Sequence, residues 1–241
     1  MRLTFLGTRG EIDIRRRRHW RHSSLLISHR GRRVMVDCGA DWLRLVRRIA
    51  PHAIVLTHAH PDHAYGLARG APCPVWATAA CWSSLTRFPI ADRRTVKPQR
   101  PFVVEDIRFT AFPVEHSVRA PAVGYRFGVA RGIRVFYAPD LVFIIDRAAA
   151  LRGVTLYIGD GATLTRPLVR QRTGHLIGHA PVTTQLSWCG KEGVPRAIIT
   201  HCGTAIVRAS HTTVSRRLDD LGDTHGVAVE LAYDGMTRVE R

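Results

Sequence analysis

The sequence is short of acid: 19 Asp and Glu stand against 36 Lys and Arg, a formal charge of +17 over 241 residues. Lysine is almost missing too, with only Lys97 and Lys191, so 34 of the basic side chains are arginine. The planar arginine fork suits bidentate contact with phosphate, which favours a polyanionic substrate; a genomic bias toward arginine would leave the same composition. Long apolar runs are absent, because arginines interrupt every candidate before the roughly 18 residues that a membrane span needs. Met1 to Leu6 is apolar too briefly, ahead of Arg9 and the run Arg15 to Arg18, to form a signal-peptide core. The five cysteines, Cys38, Cys73, Cys81, Cys189 and Cys202, include no Cys-x-x-Cys pair and leave one over if paired. That pattern argues against a disulfide-stapled secreted protein and for a reducing compartment, the cytoplasm.

What is present is ordinary globular composition, 45% apolar and 23% charged, with no repeat or low-complexity linker. One domain over residues 1–241 is the simplest organisation, long enough to build its own core. Short β-branched and aromatic runs alternate with helical patterns, an α/β arrangement. Strands are expected at Met1 to Leu6, in a hairpin of Ser23 to Ser28 and Val34 to Val36 turned at Arg30-Gly31, and at Ala53 to Leu56. Further strands are expected at Ile107 to Val114, Val123 to Val129, Ile133 to Tyr137, Val154 to Ile158, Ala197 to Ile199 and Val227 to Ala232. Helical spacing covers Asp41 to Ile49 with Asp41 as N-cap, Cys81 to Thr86, Pro181 to Trp188 with Pro181 in the first turn, and Thr213 to Leu221. Such an order suggests two sheets covered by helices, with the loops at strand ends free for chemistry.

The densest chemistry follows the apolar run Ala53 to Leu56. Thr57-His58-Ala59-His60-Pro61-Asp62-His63 puts three imidazoles and a carboxylate into one turn, a donor set that suits zinc, manganese or iron. On an extended segment His58 and His60 point the same way, leaving Asp62 and His63 to face a second ion. Three lone polar residues end later apolar runs: His116 after Phe112-Pro113-Val114, Asp140 after Phe136-Tyr137-Ala138-Pro139, and His201 after Ile198-Ile199-Thr200. Singly each reads as a strand-end cap or turn residue; together with the first motif they complete a ligand set. Cys202, next to His201, should point the other way as a buried thiol.

These residues resemble the metallo-β-lactamase superfamily, with its HxHxDH motif followed by His, Asp and His at later strand ends. The resemblance covers nearly the whole chain and implies an αββα sandwich of two mixed sheets flanked by helices. It implies that His58, His60 and His116 hold one divalent metal ion, that Asp62, His63 and His201 hold the other, and that Asp140 bridges them. Val114-Glu115-His116 followed by Gly124-Tyr125, with Phe5-Leu6-Gly7-Thr8, Arg21-His22-Ser23-Ser24 and Tyr233-Asp234-Gly235-Met236, is similar to the branch containing ribonuclease Z and the phosphoribosyl cyclic phosphate phosphodiesterases. The 24 residues from His116 to Asp140 are too few for the long tRNA-gripping arm of ribonuclease Z, and residues 1–37 lack the cysteine cluster of the cyclic phosphate enzymes. The substrate therefore stays open among cyclic phosphates, nucleotides and RNA.

In that branch a non-ligand His lies between the bridging Asp and the last His. His179, just before the helix expected from Pro181, fits best, and His175 less well. The resemblance implies two ions, zinc first with manganese or iron as alternatives, that share a water acidified toward neutral pH. Hydroxide would attack phosphorus, Asp62 would orient the water, and His179 would touch the substrate and protonate the leaving alcohol. Asp37, Asp160 and Asp234 are candidates for holding the ligand rings. Arg15 to Arg18 with Trp20 reads either as a nucleic-acid grip, Arg16, Arg17, Arg18 and Trp20 binding substrate, or as a solvated loop. Arg119 and Arg126 are weaker phosphate contacts. The expected partner is a phosphodiester small molecule or nucleic acid, with no membrane, and the resemblance implies a homodimer. Two other readings remain: a metallo-hydrolase acting on a carbon centre such as a lactone, thioester or β-lactam, and a nucleic-acid-binding protein with a vestigial site.

Overall fold

The computed structural model describes residues 1–130 and 132–240. Among them two large sheets pack face to face. The first holds β1 (Arg2–Gly7), β2 (Ser24–His29), β3 (Arg32–Val36), β4 (Ala53–Val55), β5 (Val75–Thr78) and β6 (Arg93–Val96) in that order. The second is built from β7 (Pro101–Val104), β8 (Ile107–Glu115), β9 (Ala122–Gly128), β10 (Arg134–Tyr137), β11 (Phe143–Ile144) and β12 (Leu156–Asp160). A separate hairpin, β13 (Leu168–Arg172) and β14 (His175–His179), interrupts it before β15 (Arg196–Thr200) and β16 (Ala228–Leu231) complete the sheet. The C-terminal β17 (Thr237–Val239) returns antiparallel to β1 in the first sheet.

Three apolar clusters explain the layering. Leu3, Phe5, Leu25 and Val36 from the first sheet meet Phe109, Tyr125, Phe127 and Val135 from the second, all essentially buried. Each such side chain contributes roughly 1.5–3 kcal/mol of hydrophobic stabilisation. On the outer face of the second sheet, Leu186 of the helix Val182–Lys191 and Val214 and Leu218 of the helix His211–His225 cover Phe136, Tyr157 and Ile199. The outer face of the first sheet is closed by Trp42, Leu67 and the helix Ala79–Ser84. The expected αββα sandwich is thus observed, and both ends of the helix His211–His225 have a local cause. Ser210 accepts from the Thr213 amide at the start, and Gly226 takes the left-handed conformation at the end with φ 69°.

Strand direction positions the chemistry. β3 and β4 run parallel, as do β10, β12 and β15, and β8 runs alongside β10 in the same sense through the antiparallel β9. Their C-terminal ends therefore open on one rim, which is where Asp37, His58, Asp140, Asp160, His201 and His116 follow their strands.

Several expectations are corrected. Asp41 to Ile49 is not one helix but a 3-10 turn, Ala40–Trp42, and a short helix, Val46–Ile49. Asp41 caps neither, because its carboxylate is drawn to the Arg9 and Arg15 guanidiniums and to the His22 amide. Pro181 is the N-cap of the helix Val182–Lys191, extended at ψ 153°, and not a first-turn residue. His179 consequently ends β14 and does not open the helix. Strands β5, β6, β7, β11, β13, β14 and β17 lie outside the expected ones; β6 reads Arg-Arg-Thr-Val and β13 is exposed throughout, so neither carries an apolar alternation. No helix among the described residues is long and apolar enough to cross a membrane.

Candidate metal centre

β4 is buried at all three positions between two parallel neighbours, and it ejects the chain at Thr57 onto the rim. Asp37, ending β3 with φ 63°, anchors that exit. Its carboxylate accepts from the Thr57 amide at 2.8 Å, from Thr57 Oγ1 at 2.9 Å, and from His63 Nδ1 at 2.9 Å. His63 sits on the single turn Pro61–Ala64, where Pro61 is preset for a first helical position. A Cβ at Gly39 would stand 1.8 Å from the Asp62 carbonyl oxygen, so glycine is needed for this loop to approach the turn.

Two ligand groups form at the rim and share one carboxylate. His58, His60, His116 and Asp140 make the first; Asp62, His63, His201 and Asp140 make the second, with the donor atoms of each group within 4.8 Å of one another. His58 Nε2 lies 3.0 Å and His116 Nε2 3.1 Å from His60 Nδ1. His116 donates its Nδ1 proton to the Gly178 carbonyl at 3.0 Å, which leaves Nε2 as a lone pair aimed at the cluster. Asp140 Oδ2 is 3.0 Å from His63 Nε2 and 3.4 Å from His58 Nε2, while Oδ1 is 3.3 Å from His201 Nδ1. Asp62 Oδ2 is 3.1 Å from both His63 Nε2 and His201 Nε2. Every one of the seven residues expected as ligands is brought together.

The donors fit divalent cations. His63 Nε2, Asp140 Oδ1 and His201 Nδ1 are buried yet make no hydrogen bond, an arrangement that costs free energy unless a positive ion faces them. Burial, then the neighbouring His63, holds His58 well below the usual imidazole range. Burial and then His116 lower His60 to about 4, so both rings are neutral ligands at pH 7. Burial opposes charge on Asp140, but His116 and His201 outweigh it and keep the carboxyl ionised. Asp37, Asp62, Asp140 and Asp160 are all buried, and that much negative charge in one place calls for cations.

A third group, Asp140, Asp160, His179 and His201, adjoins the first two. His179 Nδ1 lies 2.8 Å from Asp160 Oδ2 and 3.1 Å from Asp140 Oδ1. Burial alone would lower its pKa, but Asp160 and Asp140 prevail and raise it to about 11. Asp160 is fixed in turn by the Leu141 and Ala162 amides at 3.3 and 2.8 Å. It therefore holds His179, where the sequence suggested only a partner for the ligand rings.

The remaining candidates divide. Asp234 lies away from the ligands and pins the N-terminal loop through Thr8 Oγ1 and the Trp20 and Arg21 amides. Arg16, Arg17, Arg18 and Trp20 are exposed and line neither cavity at the centre; Arg15 is tied to Asp41, and Arg18 stacks over Tyr233. His175 is exposed, 3.9 Å from Glu115. Arg126 stacks on Phe112 and donates to the Ala149 carbonyl on the far face of the second sheet. Cys202 is buried and free. Instead, a cavity of about 660 Å³ beside the centre is lined by Arg166, and a neighbouring one of about 530 Å³ by Arg119, Arg170 and Arg172. Arg119 had been singled out; the other three lie around an exposed hairpin that the sequence did not reveal.

Comparison with known proteins agrees with this geometry. Residues 32–202 match the family described as the beta-lactamase superfamily domain. A ribonuclease Z of Methanopyrus kandleri is 30% identical over 141 residues, 52% of this chain and 49% of that protein. The match thus spans about half the length of that relative. The crystal structure of YhfI, a metallo-beta-lactamase fold protein from Bacillus subtilis, superposes with TM-score 0.75 at 16% identity, covering 100% of this chain and 98% of its own. A structure titled as a new diphosphatase from the PhnP family has TM-score 0.75 at 21% identity, covering 99% and 97%.

Proposed function

The chain belongs to the metallo-β-lactamase superfamily, and from that premise we propose that it is a dinuclear metal-dependent phosphodiesterase, one hydrolase domain over residues 1–241. His58, His60 and His116 would hold one divalent ion, Asp62, His63 and His201 the other, with Asp140 shared between them. Zinc suits this imidazole-rich set, and manganese or iron are accepted by it as well. Bound there, such ions supply a water acidic enough to be hydroxide near neutral pH and positive charge beside the phosphoryl oxygens.

The observation that carries the reading is His179. Its Nδ1 is hydrogen-bonded to Asp160 Oδ2, so Nε2 is the nitrogen left toward the cavity that the ring lines. Phosphodiester cleavage leaves an alkoxide that needs a proton, and an imidazolium held in this way can donate it. Asp62, whose Oδ2 is 3.1 Å from His63 and His201, also lines the cavity and would orient the attacking water. Arg166 adds a donor suited to a phosphoryl oxygen. The relatives named as a ribonuclease Z and a diphosphatase support phosphorus over carbon as the reacting centre. Free cysteines support residence in the cytoplasm.

The test is hydrolysis of bis(p-nitrophenyl) phosphate by metal-analysed protein beside Asp140→Ala and His179→Ala, with a panel of lactones, thioesters and β-lactams. Turnover of the phosphodiester that is lost in Asp140→Ala and strongly reduced in His179→Ala is the expected result. Turnover of carbon substrates alone would overturn the proposal.

A further inference from the structure

Two cavities meet at His60, His116 and His179, and they differ in chemistry. The one of about 660 Å³ combines apolar side chains such as Ile12, Pro61 and Leu168 with the carboxylates Glu11, Asp62 and Asp140, and Arg166 is the one arginine among its described lining residues. The one of about 530 Å³ is walled by Arg119, Arg170 and Arg172, and no carboxylate is among its described lining residues.

The hairpin explains how the arginines come to face the centre. Leu168 pairs with His179, Arg170 with Ile177, and Arg172 with His175. Side chains alternate across a strand, and paired residues share a face, so Arg170 and Arg172 stand on the face that carries His179. Ile177 on that face is buried against the domain, while Leu168 at its edge and Val169 and Leu176 on the opposite face are exposed. Arg170 and Arg172 are themselves exposed, and they stand on the side of the hairpin that borders the cavity. Arg119 approaches the same cavity from the loop that follows His116. Three guanidiniums around one cavity repel one another unless an anion bridges them, and each would gain a charge-assisted hydrogen bond from doing so.

We propose that this second cavity is an anion subsite in which Arg119, Arg170 and Arg172 hold a phosphate of the substrate that lies beyond the scissile phosphodiester. The inference rests on the phosphodiesterase reading for the identity of the scissile bond, but the subsite itself is tested by binding. It narrows the substrate class to phosphodiesters that carry at least one further phosphate, whether on a small nucleotide or along a nucleic-acid strand.

Thymidine dinucleotides TpT, pTpT and TpTp, and a hexathymidylate, serve as probes. Binding is read by tryptophan fluorescence on metal-free protein, and kcat/KM on metal-loaded protein, each for wild type, Arg170→Gln/Arg172→Gln and Arg119→Gln. One terminal phosphate should tighten binding over TpT by about tenfold or more, the scale of a charge-assisted hydrogen bond. In the double variant the ratio to TpT should fall toward one, and Arg119→Gln, on a different loop, should lower it independently. A hexathymidylate that gains further over pTpT marks a strand as the source, and one that gains nothing more marks a small phosphorylated ligand; both retain the subsite. Equal binding of TpT, pTpT and TpTp, or equal ratios in wild type and variants, would overturn it. Phosphate-dependent binding without turnover of any diester would keep the subsite and remove the phosphodiesterase reading.

Discussion

Asp160 and His179 form a pair, Oδ2 to Nδ1 at 2.8 Å, and that bond decides which nitrogen of His179 is left for the cavity. Asp160 is itself buried and held by two backbone amides, so the imidazole is oriented by a carboxylate whose own position is fixed by the main chain. We expect Asp160→Asn to retain its metal while turnover falls by roughly 10–100-fold, the usual loss for a partner that orients a functional His. Metal analysis beside steady-state kinetics checks this, and a wild-type rate would show that His179 needs no such orientation.

His179 also belongs to a group of four residues that could ligate an ion. As a proton donor it is dispensable for metal binding, so His179→Ala should contain as much metal as wild type and yet lose most of its turnover. Loss of an equivalent of metal from that variant would make His179 a ligand instead.

Asp37 binds the Thr57 amide and His63 Nδ1 at once, coupling the exit of β4 to the tautomer of one ligand. Asp37→Ala should weaken metal binding by about 10–100-fold. A chelator competition titration measures this. Affinity equal to wild type would mean that His63 keeps its orientation without the carboxylate.

Arg9 is 2% exposed and its guanidinium lies 2.7 Å from Asp41. Removing the acid strands a buried cation, so Asp41→Ala should cost on the order of 3–5 kcal/mol, whereas replacing both partners by apolar residues should cost less. Chemical denaturation of the single and double variants separates the two. Equal losses would show that the ion pair is not the source of the effect.

His19 is buried with Nδ1 2.8 Å from Thr8 Oγ1. Burial, then His211 and Arg18, lowers its pKa from 6.5 to about 4. The unfolded chain accepts a proton below pH 6.5 that the folded chain refuses until about pH 4, so stability present above 6.5 is lost progressively across that window. The melting temperature of wild type should therefore fall more steeply from pH 6.5 to 4 than that of His19→Gln. Parallel curves would assign the acid sensitivity elsewhere.

The metal ligands were legible because they come after apolar runs that could only be buried strands, and the loops at strand ends are free to carry chemistry. His58, Asp140 and His201 are examples, each one step beyond its strand or close to it. The hairpin Leu168 to His179 was not legible. Its first strand is exposed at every position, so it lacks the alternation by which a half-buried strand declares itself. Arg170 and Arg172 were hidden for that reason, while the conspicuous run Arg15 to Arg18 drew attention to a loop that does not line the centre. Asp41 misled in another way: its position suited a cap, but Arg9, 32 residues earlier, claimed its carboxylate.

The amino-acid sequence by itself determined the donor atoms, their order and the alternation of apolar runs that makes two sheets, because these depend on residue type and local spacing. Only the tertiary structure decided which donors meet. Parallel pairing of β10, β12 and β15 sets Asp140, Asp160 and His201 on one rim, and the fold of the hairpin brings His179 to Asp160 and the arginines to the cavity. Such pairings join residues far apart in the chain, and they are fixed by which apolar faces can be buried together, a property of the whole packed molecule.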